Sequence, residues 1–104
     1  MNLKQLKKKI GADHIYSDGR FRQGNKDGIL NLKTGEIIKE PFADFIYSDG
    51  IFTQGGKWGI VNLKTGEIIR KPFADVIYSY GTFKRDGKWG ILNLKTGEII
   101  KKAE

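Results

Sequence analysis

Gly28-Ile29-Leu30-Asn31-Leu32-Lys33-Thr34-Gly35-Glu36-Ile37-Ile38 returns from Gly59 to Ile69 with Val61 for Leu30, and returns unchanged from Gly90 to Ile100. Each shift is 31 residues. Working outward, Ala12-Asp13, Ala43-Asp44 and Ala74-Asp75 open the copies. Ile-Tyr-Ser follows at 15–17, 46–48 and 77–79, then Phe21, Phe52 and Phe83. The second and third copies share 21 of 31 positions, and no insertion breaks the register. A fixed period of this kind marks a tandem array of one supersecondary unit. The units run 12–42, 43–73 and 74–104 in a single domain, and residues 1–11 read as a degenerate half-repeat or cap.

The punctuation within a unit predicts its fold. Ile-Ile, Ile-Tyr and Trp-Gly-Ile-Leu are short β-branched and aromatic runs. Between them lie hairpin signals at Asp18-Gly19 and Asp49-Gly50, and again at Gly24-Asn25, Gly55-Gly56 and Asp86-Gly87. Leu-Lys-Thr-Gly suits a type I turn closed by a left-handed glycine. Pro41 and Pro72 are expected between units, where a missing amide is tolerated. Only Leu3, Leu6 and Ile10 approach helical spacing. The fold class is all-β, with each unit a meander of three or four short antiparallel strands.

Strand alternation sorts the faces. Trp89 and Ile91 point one way, Gly90 and Leu92 the other, and a glycine beside a tryptophan fits a strand that a ring or backbone approaches closely. Phe21, Phe52 and Phe83 face inward. Arg20/Arg22, Ile51/Thr53 and Thr82/Lys84 are therefore expected to face out. One unit cannot bury its apolar face alone, so neighbours stack into a common core, as an open stack or curled towards threefold closure. Trp58 and Trp89, at a fixed place in their units, read as packing residues. Asp27 replaces the tryptophan in the first unit, where it is expected to blunt an open sheet end.

Composition excludes several classes. With no cysteine among 104 residues, disulfides, thiolate chemistry and Cys-based metal sites are out. No apolar run is long enough for a membrane helix, and the basic start has no apolar signal core, so a cytoplasmic protein is expected. His14 beside Asp13 is the one imidazole, its counterparts being Phe45 and Val76. Asp13/Asp44/Asp75 are expected to cap turns through backbone amides. Glu36/Glu67/Glu98 are expected to pair with lysines across strands. No catalytic triad, phosphate loop or ligand cluster assembles from this inventory. The expectation is a chain that is no enzyme and takes no metal or cofactor.

The formal charge is +7: +4 from Lys4, Lys7, Lys8 and Lys9 in the leading segment, then 0, +1 and +2 from successive units. Only four of nineteen cations are arginine, the better bidentate reader of phosphate.

Gly56-Lys57-Trp58-Gly59-Ile60-Val61-Asn62 with Thr65-Gly66-Glu67, and its copy from Gly87 to Glu98, resembles the bacterial WG-repeat (KWG) family. The resemblance covers nearly the whole chain. The first unit departs from it, with Asn25-Lys26-Asp27-Gly28 at the motif. The resemblance implies a β-rich repeat array that serves as an interaction scaffold. It implies no shared activity and no common ligand, so no catalytic residue carries over.

If the repeats are scaffold, specificity belongs where they disagree. Those positions gather on one strand and its turns, and they make Arg20, Arg22, Ile51, Thr53, Tyr80, Lys84 and Arg85 the expected contacts for a protein partner. Such a module acts by occupancy, as a stoichiometric inhibitor does. The alternative is a nucleic-acid or ribonucleoprotein binder using Lys7, Lys8, Lys9, Lys57 and Lys88, with base stacking on aromatic rings. Unpaired strand edges at the ends of an open array also favour self-association.

Overall fold

The computed structural model describes residues 2–104. Its first element is a helix, α1 (Leu3–Ile10). Eight residues are too few for a stable isolated helix, so its caps and its docking matter. Asn2 and Gln5 form a reciprocal capping box, and Gly11 closes the other end at φ 72°. The leading segment is thus a helical cap and not a half-repeat of strands.

Each repeat then folds into one four-stranded antiparallel meander. The first sheet comprises β1 (His14–Ile15), β2 (Arg20–Gln23), β3 (Lys26–Leu30) and β4 (Ile37–Ala43). The second comprises β5 (Phe45–Ile46), β6 (Ile51–Gln54), β7 (Lys57–Val61) and β8 (Ile68–Ala74). The third comprises β9 (Val76–Ile77), β10 (Thr82–Arg85), β11 (Lys88–Leu92) and β12 (Ile99–Lys101). The β6–β7 and β10–β11 hairpins turn on Gly55-Gly56 and Asp86-Gly87, both pairs at positive φ as a type I′ turn requires. In the longer turn, Asn31 Oδ1 accepts the amides of Lys33 and Thr34, and Asn62 and Asn93 repeat this.

Pro41 and Pro72 lie inside β4 and β8, not between units. The ladder shifts register there: Asp27 pairs with Ala43 and Ile29 with Lys39, leaving a bulge on the outer strand. A bulged edge strand tolerates the missing amide, and the bend carries the chain into the next sheet.

The invariant glycine of the motif is explained by contact. A Cβ on Gly59 would lie 2.6 Å from the Arg70 carbonyl oxygen and 3.0 Å from the Phe52 ring. At Gly90 it would meet the Phe83 ring at 2.5 Å. The buried phenylalanine of each unit rests on its own glycine.

Three apolar layers hold the array together. Leu6 of α1 packs with Ile15, Phe21 and Leu30 of the first sheet. Ile29 on that sheet's other face packs with Ile46, Phe52 and Val61 of the second. Ile51 and Ile60 then pack with Ile77, Phe83 and Leu92 of the third. The phenylalanine face of every sheet is therefore covered by the element before it, and the opposite face of the first two by the sheet after it. Principal extents are 48 × 23 × 17 Å. The radius of gyration is 14.6 Å, against about 13 Å for a globule of this length. The units form an open stack without threefold closure.

Candidate functional site

On the face opposite the phenylalanines, antiparallel register sets residues of two strands side by side. The pairs are Arg20 with Ile29 and Arg22 with Asp27, then Ile51 with Ile60 and Thr53 with Trp58, then Thr82 with Ile91 and Lys84 with Trp89. The same lattice of positions meets three different fates along the stack.

In the first sheet the face sets a polar group beside the buried Ile29, and both are engaged by the second sheet. Asp27 is only 3% exposed. Its Oδ2 accepts the Ile46 amide at 2.8 Å and its Oδ1 accepts Arg22 at 2.9 Å. Arg22 also donates to the Asp44 carbonyl at 3.1 Å, and Arg20 to the Ile46 carbonyl at 2.7 Å. Asp27 does not blunt an open end; it pins the backbone of the second sheet to the first. Arg20 and Arg22, expected as partner contacts, serve the same junction.

In the second sheet the face is apolar and covered. Ile51, expected to contact a partner, is 2% exposed and belongs to the core shared with the third sheet. Alternation correctly turned it away from Phe52, but the next sheet covers that side too. Trp58 packs half-buried against the same core, with the Tyr47 ring stacked on it at 5.6 Å. Thr53 stays half-buried.

In the third sheet none of the described residues covers the face. Ile91 is 43% exposed, whereas its counterparts Ile29 and Ile60 are 0% and 1%. Trp89 and Ile100 are exposed with it, and Trp89, expected to pack, meets no following sheet as Trp58 does. Tyr78 stacks on Trp89 at 5.8 Å and on Tyr80 at 5.6 Å, and the Lys84 ammonium lies 5.4 Å from the centre of the Trp89 ring. Of the seven expected contacts, Tyr80 and Lys84 lie here. Arg85 is exposed too, but alternation puts it on the Phe83 side, lining an open groove of about 440 Å³ with Asp86, Ile99 and Lys102. Ile91, Ile100 and Tyr78 were missed because they repeat. The usable signal was the broken pattern after Ile100, where Ala103-Glu104 stands in place of the motif Pro-Phe.

The recurring charges are mostly spoken for. The motif lysines of the first two units reach the opening aspartate of the following unit: Lys26 pairs with Asp44, and Lys57 with Asp75 at 2.6 Å. The same aspartates accept turn amides, Asp44 from Gly55 at 3.0 Å and Asp75 from Asp86 at 2.9 Å. The Lys26 hydrogen bond, then the Gly55 amide, holds Asp44 below the ordinary carboxylate pKa; Lys57 and the Asp86 amide do likewise for Asp75. The Asp75 hydrogen bond raises Lys57 in turn. Lys57 is thus committed within the stack, while Lys7, Lys8, Lys9 and Lys88 are exposed. Among the described residues Glu36, Glu67 and Glu98 form no ion pair, so the cross-strand lysine pairing does not occur.

His14 is exposed, edge-on to Tyr16 at 4.4 Å. Among the described residues no three His, Cys, Asp or Glu side chains gather as a metal ion would need, and no helix is long and apolar enough to cross a membrane.

Fold and face together define a tandem stack of four-stranded sheets, capped by a helix at one end and exposing an aromatic face at the other. No protein-family model, curated protein or solved structure matches the chain.

Proposed function

We propose that this chain is a non-enzymatic β-repeat interaction module of the WG-repeat kind, whose third-sheet face binds a protein partner and acts by occupancy. One observation carries the reading. Positions covered by a following sheet in the first two units are exposed together in the third, as Trp89, Ile91 and Ile100 beside Tyr78 and Tyr80. Contiguous exposed apolar surface rimmed by polar groups marks interaction sites, and aromatic anchors dominate their energetics. The rim is basic, with Lys84 and Lys101 on the face and Lys88 at the strand end beside it, so it suits a partner with carboxylates around an apolar centre. A partner held this way is blocked wherever its own surface is covered, which is how a stoichiometric inhibitor works. The reading sets the module in the bacterial cytoplasm, where a cysteine-free chain gives up nothing.

The experiment is a tagged pull-down from lysate with the wild-type chain and Trp89→Asp, each with and without nuclease. A stoichiometric protein that survives nuclease and is lost with Trp89→Asp is the expected result. Retention by the variant overturns the assignment of the face. Recovery that vanishes with nuclease favours instead nucleic-acid binding by the exposed lysines of α1 and the stacked aromatic rings.

A further inference from the structure

The occupant of the open face can be read from what occupies its counterparts. Across the junctions of the stack, an isoleucine of one sheet seats on the turn glycine of the next. A Cβ on Gly66 would meet Ile38 at 3.0 Å, and one on Gly97 would meet Ile69 at 2.8 Å. On Gly35, the first of the series, the contact is Leu6 of α1 at 3.1 Å. The helix thus takes the place that a sheet takes at the other junctions, with Leu6 in the isoleucine seat. The next isoleucine in the series is Ile100, which is 65% exposed.

The charges show the same mismatch at the two ends. Lys26–Asp44 and Lys57–Asp75 each tie one unit to the next across 18 residues. Among the described residues Lys88 has no carboxylate partner and Asp13 no cation. Continuing the period from Lys88 leads to the position that Asp13 holds in a first unit. One end of the chain therefore carries the free isoleucine and lysine, and the other carries the seat and the carboxylate, both beside α1.

We propose that the third sheet's open face docks on the first sheet of a second copy, head to tail, and that α1 is the displaceable cap that holds this association in check. The proposal rests on the reading of the third-sheet face as a binding surface. Ile100 of one copy replaces Leu6 on Gly35 of the next, and Lys88 reaches Asp13. A tail-to-tail dimer is disfavoured, because it would set the basic rim with Lys84, Lys88 and Lys101 against itself. The cap has little hold, since Leu6 is its one buried residue. It also blocks by charge, because Lys7, Lys8 and Lys9 lie in its last turn and repel the incoming lysines. Only the uncapped fraction of molecules is competent, which weakens the apparent affinity by that fraction. A heterologous contact that does not close into a ring propagates as a filament, so a cap has an evident use.

Sedimentation of the purified full chain over a concentration series tests this. Leu6→Ala unseats α1 without burying a charge, and is expected to strengthen self-association by roughly tenfold or more. Trp89→Asp added to it returns the protein to monomer. A folded Leu6→Ala protein that stays monomeric throughout, or one that still associates with Trp89→Asp, overturns the proposal. A second measurement leaves Leu6 intact: Asp13→Cys and Lys88→Cys proteins are mixed and treated with a bis-maleimide linker, the chain having no other cysteine. Hetero-linked product should exceed both homo-linked products; a dominant Lys88→Cys homodimer, or no hetero-linked product, overturns head-to-tail docking. If Trp89→Asp abolishes foreign-partner capture while no self-association is found, the proposed function stands and only this inference falls.

Discussion

Asp27 occupies the position that Trp58 and Trp89 hold in the other sheets, and its surroundings have changed with it. Opposite it stands Arg22 where Thr53 stands opposite Trp58, so a charged pair has replaced a ring and a small side chain at one junction. The carboxylate satisfies both Arg22 and the Ile46 amide. Removing it leaves the buried Ile46 amide unpaired and Arg22 without its counterion, and Asp27→Ala is expected to cost about 2–3 kcal/mol in urea unfolding. Asp27→Trp restores the motif but strands Arg22, so it should destabilise as well. Combining it with Arg22→Thr should recover at least about 1 kcal/mol beyond the sum of the single effects. Additive losses would show that the two positions do not act as a pair. This exchange was hidden in the sequence, where Asp27 reads as a polar substitution at an exposed end. A local pattern shows that a residue type has changed. It does not show which backbone amide the new side chain will meet across a layer.

At the scale of elements, hairpins and turns were legible because their signals are local: Gly55-Gly56, Asp86-Gly87 and the Asn-Leu-Lys-Thr-Gly turn each fix their own backbone. The bulge at Pro41 and Pro72 was not, because it depends on pairing with a strand more than ten residues away. Face assignment failed at Ile51 for a related reason. Period-two alternation separates two faces of a strand, yet both are covered when sheets stack on each side. Electrostatics also works between elements here, since Asp44 and Asp75 join a turn amide of their own unit to a lysine of the unit before. Both carboxylates titrate below their unfolded value, so the stability they contribute is present above roughly pH 4 and is lost as pH falls through their folded values. Lys57 has the opposite sign: its contribution is full below its unfolded pKa and disappears only as strong alkali passes the raised folded value. Being solvent-screened, the pairs are individually weak. Thermal unfolding midpoints between pH 6 and pH 2.5 should therefore fall in acid, and fall less steeply in Asp44→Asn/Asp75→Asn. An equal slope in both proteins would place the acid lability elsewhere.

Over the whole molecule, each layer touches only its neighbours, so stability is a sum of unit terms and junction terms. Periodicity made the stacking legible and left its closure open, because the rotation between units is set by side-chain volumes at junctions. Here one junction adds Asp27, Arg20 and Arg22 to the layer of Ile29, Ile46, Phe52 and Val61, and the other is built on Ile51, Trp58 and Ile60 with Ile77, Phe83 and Leu92. The second sheet is covered on both faces, the first by a short helix on one side, and the third on one face only. Opening from an end breaks one junction, whereas exposing the middle sheet breaks two. Amide hydrogen exchange should accordingly be slowest in β6 and β7, intermediate in β2 and β3, and fastest in β11 and β12 beside the open face. Adding a ligand to that face should slow β11 and β12 first, with little change in β6 and β7. Equal protection across all three sheets would mean that the stack opens as one cooperative unit, and that the uncovered face carries no local instability for a partner to relieve.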